Sequence, residues 1–248
     1  MSDLSSFDCL DDLQLGGWKL WQNSRFFRFG TDGVLLADFA RCTPKEQVID
    51  LCSGTGIVPF LLLAKGHAKT AAGLELQPYL CRLMERSAVD NHCEDRMTVI
   101  EGDVKDIRSL AKGKTYDLVT VNPPYEPLGR GILGQNPHRE LARREVACTL
   151  EDIIAATVYL LKSGGRLAMV HRPFRLPELL RLLEQYGFAA SRLRMVEPYP
   201  GERPALVLME AILHSKRELV VEPTLFLHRE DKELSDELLK IYGRERES

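Results

Sequence analysis

Val48-Ile49-Asp50-Leu51-Cys52-Ser53-Gly54-Thr55-Gly56-Ile57 is a short apolar run holding one acid, followed by a turn of small residues with two glycines and the start of a helical apolar run. A β-branched run that ends in such a turn and re-enters as a helix is the opening unit of a parallel sheet. Doubly wound sheets bind ligands there, outside the carboxyl ends of their strands. The pattern recurs along the chain. Candidate strands cover 48–51, 71–76, 98–101, 117–121, 166–170, 192–196 and 206–213, and candidate helices cover 57–65, 78–92, 150–161 and 176–186. Pro78 suits a first helical turn, and Gly187 suits the position past a helix end. The alternation predicts an α/β fold: a seven-stranded, mostly parallel sheet with helices on both faces. The last two strands are joined only by the turn-rich 197–204 stretch, so the last strand is expected to run antiparallel.

Composition sets the outer bounds. The chain has 248 residues, with 33 Lys and Arg against 36 Asp and Glu, a formal charge of −3. That length suits one domain, 1–248, made of an N-terminal segment 1–47, a core 48–215 and a short extension 216–248. Near-neutral charge excludes a generally basic nucleic-acid coat but leaves room for a local basic patch. No apolar run approaches the roughly 18 residues of a membrane helix, and acids and hydroxyls stand at the start where a signal peptide has Lys or Arg, so a cytoplasmic protein without a membrane partner is expected. The six cysteines form no Cys-x-x-Cys pair and have no His at zinc-ligand spacing, so neither disulfides nor a metal are expected. The stretch before the first strand reads as a hairpin and one helix. The loop 126–144 and the charged tail 229–248 are expected outside the core.

The glycine turn narrows the ligand. A dinucleotide fingerprint needs a third glycine where Pro59 stands, and no phosphate-cradling Gly-x-x-x-x-Gly-Lys-Ser/Thr occurs. Close backbone approach without pyrophosphate geometry suits an uncharged or zwitterionic nucleoside. The second strand ends in Gly73-Leu74-Glu75-Leu76, which places an acid where it can accept both ribose hydroxyls. The third ends in Glu101-Gly102-Asp103, an acceptor for an adenine amine. One acid at a strand tip is an ordinary solvated turn residue; three in order beside a glycine turn are a binding set.

This set resembles the motifs of Rossmann-like class I methyltransferases that use S-adenosylmethionine. The resemblance implies that Asp50 lies near the methionine moiety, Gly54 and Gly56 beneath the cofactor, Glu75 on the ribose and Asp103 on the adenine. That family commonly has glycine where Cys52 stands, so an ordinary negative φ and no chemical role are expected for Cys52. In the segment 22–38, Thr31 or Asp32 caps the following helix; the resemblance also makes Thr31 and Asp32 cofactor-binding candidates near the methionine end. Trp18, Trp21 and the cluster Phe26, Phe27 and Phe29 read as packing residues.

The fourth strand ends in Asn122-Pro123-Pro124-Tyr125. Two prolines fix φ near −65° and remove two N–H donors, so the stiff backbone presents carbonyl acceptors. The Asn122 side-chain oxygen and the Pro123 carbonyl can accept from one NH2 group while the Tyr125 ring lies against a flat partner. An amine conjugated to a π system is a poor nucleophile. Holding both its hydrogens favours a pyramidal nitrogen and aims the lone pair at a sulfonium methyl, with no strong base required. The motif resembles that of methyltransferases acting on the adenine N6 amine, the guanine N2 amine or the glutamine side-chain amide, with Asn122, Pro123 and Tyr125 in the catalytic role and Asn122 also beside the cofactor.

An adenine must leave its stack to reach such a site, and unpaired RNA is the cheapest source. Arg130, Arg139 and Arg143, with Arg144, follow the motif, while Arg172, Arg175 and Arg203 follow later strands. All could contact phosphates, although Arg143 and Arg144 also fit the start of a helix beside Glu140 and Glu145. Fewer than fifty residues before the first strand disfavour the glutamine-modifying group, which carries a helical domain there, and no segment is large enough for a DNA-reading domain. The overall layout is most similar to bacterial valine-tRNA adenine N6-methyltransferases, over about 10–245. It implies an RNA adenine N6-methyltransferase whose partner is a tRNA modified near the anticodon. The alternatives are a glutamine N5 or ribosomal-RNA guanine N2 enzyme, or an RNA-binding module that keeps the fold without turnover.

Overall fold

The strand between residues 47 and 51 lies where the order of the sheet reverses. A computed structural model describes residues 4–26, 28–123 and 148–244. β1 (Asp8–Asp12) and β2 (Lys19–Asn23) form an antiparallel hairpin, followed by α1 (Thr31–Phe39). Then come β3 (Gln47–Leu51), α2 (Ile57–Ala64), β4 (Thr70–Glu75), α3 (Pro78–Asp90), β5 (Met97–Glu101), α4 (Ile107–Leu110) and β6 (Tyr116–Val121). The chain continues through α5 (Leu150–Leu160), β7 (Leu161–His171), α6 (Leu176–Gln185), β8 (Phe188–Glu197) and β9 (Leu206–Leu213). Two short strands, β10 (Val220–Val221) and β11 (Leu225–Phe226), precede α7 (Asp236–Ile241).

The main sheet runs β10-β8-β9-β7-β6-β3-β4-β5, and β11 also pairs with β8. Strands β5, β4, β3, β6 and β7 are mutually parallel, and β9 lies antiparallel between β7 and β8. All seven expected strands are present, with the antiparallel one where the missing helix put it. The two added strands are only two residues long and lie at the β8 edge. Successive strands move outward from β3 to β5, then restart on its other side at β6. This reversal opens a crevice at the carboxyl ends of β3 and β6.

Alternation along β3 splits the core. Val48 faces a cluster with residues of α1, α2 and α3, whereas Ile49 and Leu51 face one built from α4, α5 and α6. Helix α2 is apolar all round and buried from Ile57 to Leu63, as a helix covered on several sides must be. At its other extreme α6 buries only Leu179, Leu182 and Leu183 and keeps a polar face outward. Among the described residues no helix is long and apolar enough to cross a membrane.

The tail departs from expectation. Leu238 and Ile241 of α7 are buried in the α1–α2 face of the core, so part of 229–248 belongs to it. The apolar pair is spaced for one helical face, and Ser235 caps that helix by accepting from the Leu238 N–H at 3.1 Å. The capping expectation for α1 also changes: the N-cap is Gly30, with no side-chain cap, and Asp32 sits in the first turn, where its carboxylate accepts from the Gly33 N–H at 3.0 Å.

Three adjacent strands share a buried charge network. Glu210 of β9, 5% exposed, takes Arg166 of β7 at 3.1 Å and Arg192 of β8 at 3.2 Å. Arg166 also binds Glu46 and the Ala40 carbonyl, while Arg192 binds Glu222 and the Phe39 carbonyl. Two cations thus meet the carboxyl end of α1, where the helix dipole favours them. Glu210→Ala should cost about 3 kcal/mol, the low end for breaking a buried pair, because Glu46 and Glu222 remain. Urea denaturation at constant slope reads this directly; a loss below about 1 kcal/mol would mean the guanidiniums are already hydrated.

Candidate active site

The turn leaving β3 is built from left-handed backbone. Cys52 has φ +56°, Gly54 +59° and Gly56 +88°. The ordinary φ expected for Cys52 is therefore wrong: the chain reverses too sharply after Leu51 for any extended residue to serve. The strain, of order 1–3 kcal/mol for a non-glycine residue, is held by its neighbours. Ser53 donates its N–H to the Leu74 carbonyl at 3.0 Å, and Gly56 donates to the Ser53 carbonyl at 2.9 Å.

Two buried carboxyl groups bracket the turn. Asp50, 2% exposed, accepts the Ser53 hydroxyl at 2.7 Å and the Thr120 hydroxyl of β6 at 2.6 Å. Burial pushes its carboxyl up to about 7; the two hydroxyls only partly offset that, and the charge of Glu75 adds to it. Glu75, at the end of β4, accepts the Gly54 N–H and the Gln77 N–H, each at 2.9 Å. Its pKa is also raised by burial, against those backbone donors.

The glycines divide the work. A Cβ on Gly56 would lie 2.8 Å from Met84 and 3.0 Å from Phe60, whereas one on Gly54 would meet nothing within 4 Å. Gly56 therefore packs the turn onto α2 and α3, and Gly54 faces open space with its N–H anchored from behind. A backbone open to close approach, flanked by buried acceptors, fits a nucleoside cofactor with ribose hydroxyls to satisfy.

The other expected residues fall around this turn. Asp103, beyond β5, caps a short 3-10 turn by accepting from the Lys105 N–H at 2.9 Å and pairs with the Lys105 ammonium at 3.2 Å. Asn122 and Pro123 follow directly on β6, the neighbour of β3. Thr31 opens α1, its hydroxyl 3.0 Å from that of Tyr242, and the same first turn sets Gly33 against Ile57, just after the glycines. Tyr125, Arg130, Arg139, Arg143 and Arg144 lie outside the described residues, as does Phe27.

Ser53, Thr120, Gln77 and Tyr242 were not singled out by the sequence; a hydroxyl one strand over from an acid carries no signal until the register is known. Arg175 does not serve as a phosphate contact, being 6% exposed and paired with Glu178 at 2.7 Å. Phe26 stacks on Tyr79 with ring centroids 5.1 Å apart, and Trp21 lies under Arg86, so both are packing residues as expected. Cys52 and Cys148 bring their sulfurs within 4.0 Å. That contact and burial hold the Cys52 thiol well above its usual range, so it stays protonated and unreactive.

The sheet order and the crevice at the β3–β6 reversal define a Rossmann-like class I methyltransferase fold. A predicted O-methyltransferase from Agrobacterium tumefaciens superposes with a TM-score of 0.68 at 21% identity, covering 86% of this chain and 95% of that one. Residues 29–189 match the methyltransferase small domain model. The chain belongs to that family, enzymes that draw their methyl group from S-adenosyl-L-methionine. The tRNA1(Val) (adenine(37)-N6)-methyltransferase of Porphyromonas gingivalis is 30% identical over 189 residues, 74% of this chain and 73% of that protein. Its namesake from Aeromonas hydrophila is 29% identical over 183 residues, 73% and 75% of the two chains.

The raised carboxyl has a consequence for stability. In the fold Asp50 keeps its proton up to about 7, whereas the unfolded chain loses it near 4. Its contribution is therefore full below about pH 4 and disappears as the pH climbs to 7. Asp50→Asn, which cannot ionise, should gain on the wild type across that interval in urea denaturation at pH 4 and 7.5. Parallel curves, or a variant that falls behind as pH rises, would contradict the assignment.

Proposed function

We propose that the protein transfers a methyl group from S-adenosyl-L-methionine to the exocyclic N6 amine of an adenine in RNA, a tRNA near its anticodon. The observation that carries this reading is the adjacency of two strand ends: Asn122-Pro123 leaves β6 beside the glycine turn of β3, and Thr120 and Asp50 join the strands at 2.6 Å. The names of the two bacterial relatives support adenine in valine tRNA as the substrate.

On this reading the residues take separate parts. Glu75, held in place by the Gly54 and Gln77 N–H groups, takes the ribose hydroxyls. Asp103 takes the cofactor's adenine amine, the open backbone at Gly54 lies beneath the cofactor with Gly56 fixing it, and Asp50 and Thr31 lie towards the methionine end. The cofactor supplies an electrophilic sulfonium methyl. Asn122 through its side-chain oxygen and Pro123 through its carbonyl hold both amine hydrogens, and Tyr125 stacks on the base. With the cofactor bound, the amine nitrogen would take its methyl, and the surplus proton on that nitrogen would leave to water. His171, ending the adjacent strand β7, does not take it: burial, then the charges of Arg175 and Arg172, lower its pKa to about 3. Alignment alone can supply up to roughly 7–11 kcal/mol. The parts given to Tyr125, Arg130, Arg139 and Arg143, the last three on phosphates, rest on sequence.

The test is incubation with methyl-labelled cofactor and, in parallel, tRNA from cells lacking the gene, ribosomal RNA and protein extract. Label should enter tRNA as N6-methyladenosine by mass spectrometry. Label on a glutamine or on guanine N2 would replace the substrate assigned here, and no label in any fraction would defeat the enzymatic reading. Asn122→Ala should leave cofactor affinity by calorimetry nearly unchanged and lower transfer by at least about a hundredfold. A parallel fall in both would remove Asn122 from amine recognition.

A further inference from the structure

Among the described residues, Phe174 is the one aromatic side chain among the large apolar groups left exposed, at 61%. It does not lie on a loose tip. Residues Pro173–Arg175 form a single 3-10 turn between β7 and α6, with proline at its first position. The Arg172 N–H donates to His171 Nδ1 at 2.8 Å, and the Arg175 N–H donates to the Arg172 carbonyl at 3.0 Å. The Arg172 guanidinium reaches across to the Ala205 carbonyl at 3.1 Å, and the buried Arg175 holds Glu178 at 2.7 Å. The turn is thus pinned on both sides of the phenylalanine, and the ring is held out in water by a rigid frame.

Its place in the fold gives that exposure a use. Met169 of β7 pairs with Val121 of the parallel β6, so β7 ends at His171 on the rim where β6 delivers Asn122 and Pro123, and Phe174 follows three residues later. Asn122 and Pro123, which hold the amine in the reading above, leave β6 at this end. The ring is flanked in sequence by Arg172, and the loop that Arg172 grips carries the exposed Arg203. A protein docking face needs a continuous apolar patch of a few hundred Å2. A single exposed ring on a pinned turn, with Arg172 two residues before it and Arg203 on the loop that Arg172 grips, suits the face of one base with its phosphate nearby.

We propose that Phe174 stacks on a nucleotide beside the flipped adenine, acting as an RNA-binding residue outside the catalytic pocket. This rests on the RNA reading given above. Binding of tRNA from cells lacking the gene is measured by fluorescence anisotropy for the wild type, Phe174→Ala and Phe174→Tyr, with methyl transfer to the same tRNA assayed in parallel. Phe174→Ala should weaken tRNA binding and raise KM for tRNA by about tenfold or more, keeping kcat, cofactor affinity and melting temperature. Phe174→Tyr, which restores the ring, should behave as wild type. If the wild type methylates tRNA and Phe174→Ala binds it within twofold, the stacking role is overturned and the substrate stands. Equal losses in the alanine and tyrosine variants overturn it as well. If the wild type methylates no RNA, both assignments fall together.

Discussion

A backbone that must reverse through three left-handed residues beside an open crevice will not hold its shape unaided. Here it is held by two acids that the sheet buries. Glu75 fixes the turn from the β4 side by taking the Gly54 N–H, and Asp50 fixes it from below through Ser53. Asp50 also grips Thr120 of β6, so the groups that shape the glycine turn and the strand that delivers Asn122 share one carboxyl. Strain at Cys52 is tolerated because its neighbours are over-determined on both sides. On the proposed reading, cofactor contact and substrate alignment would therefore depend on the same few hydrogen bonds, and displacing either acid would disturb both.

The sheet was legible because each central strand is buried on both faces and must be apolar almost throughout. Val48-Ile49 and Leu118-Val119 carry that signal without help from context. The antiparallel placement of β9 followed from a connection too short and too rich in proline to hold a helix. What escaped were features whose meaning depends on a distant partner. Leu238 and Ile241 read as part of a charged tail until they meet the α1–α2 face, and Glu210, lone in an apolar strand, becomes intelligible only when Arg166 and Arg192 stand on either side of it.

For the candidate site, sequence showed where residues lie in the fold better than how they are held there. Spacing placed Asp50, Glu75 and Asn122 at adjacent strand ends, since strand order follows from the alternation of elements. The roles of the two carboxyl groups in holding the turn needed register. The φ of Cys52 was misread because residue type was taken as evidence of conformation; glycine preference is a cost, and a buried network can meet it. Arg175 shows the converse, a charge at a strand end that the fold turns inward to Glu178.

Burial acts on opposite charges in the same direction at the carboxyl ends of these strands. It raises the pKa of Asp50 and Glu75 and lowers that of His171, in each case favouring the neutral form. The His171 imidazole takes no proton at neutral pH, and the Asp50 carboxyl, though poised at about 7, has its two oxygens committed to the Ser53 and Thr120 hydroxyls. What a floor of this kind supplies instead are fixed acceptors and a stiff backbone, which are sufficient when the nucleophile is a flat amine whose lone pair must be aimed. Two acceptors at Asn122 and Pro123 would serve adenine, guanine or an amide alike, so the floor determines the reaction and the choice of molecule falls to the rim. A rim that presents an aromatic ring from a rigid turn beside cations recognises a base and its phosphates through surfaces that a glutamine side chain does not have.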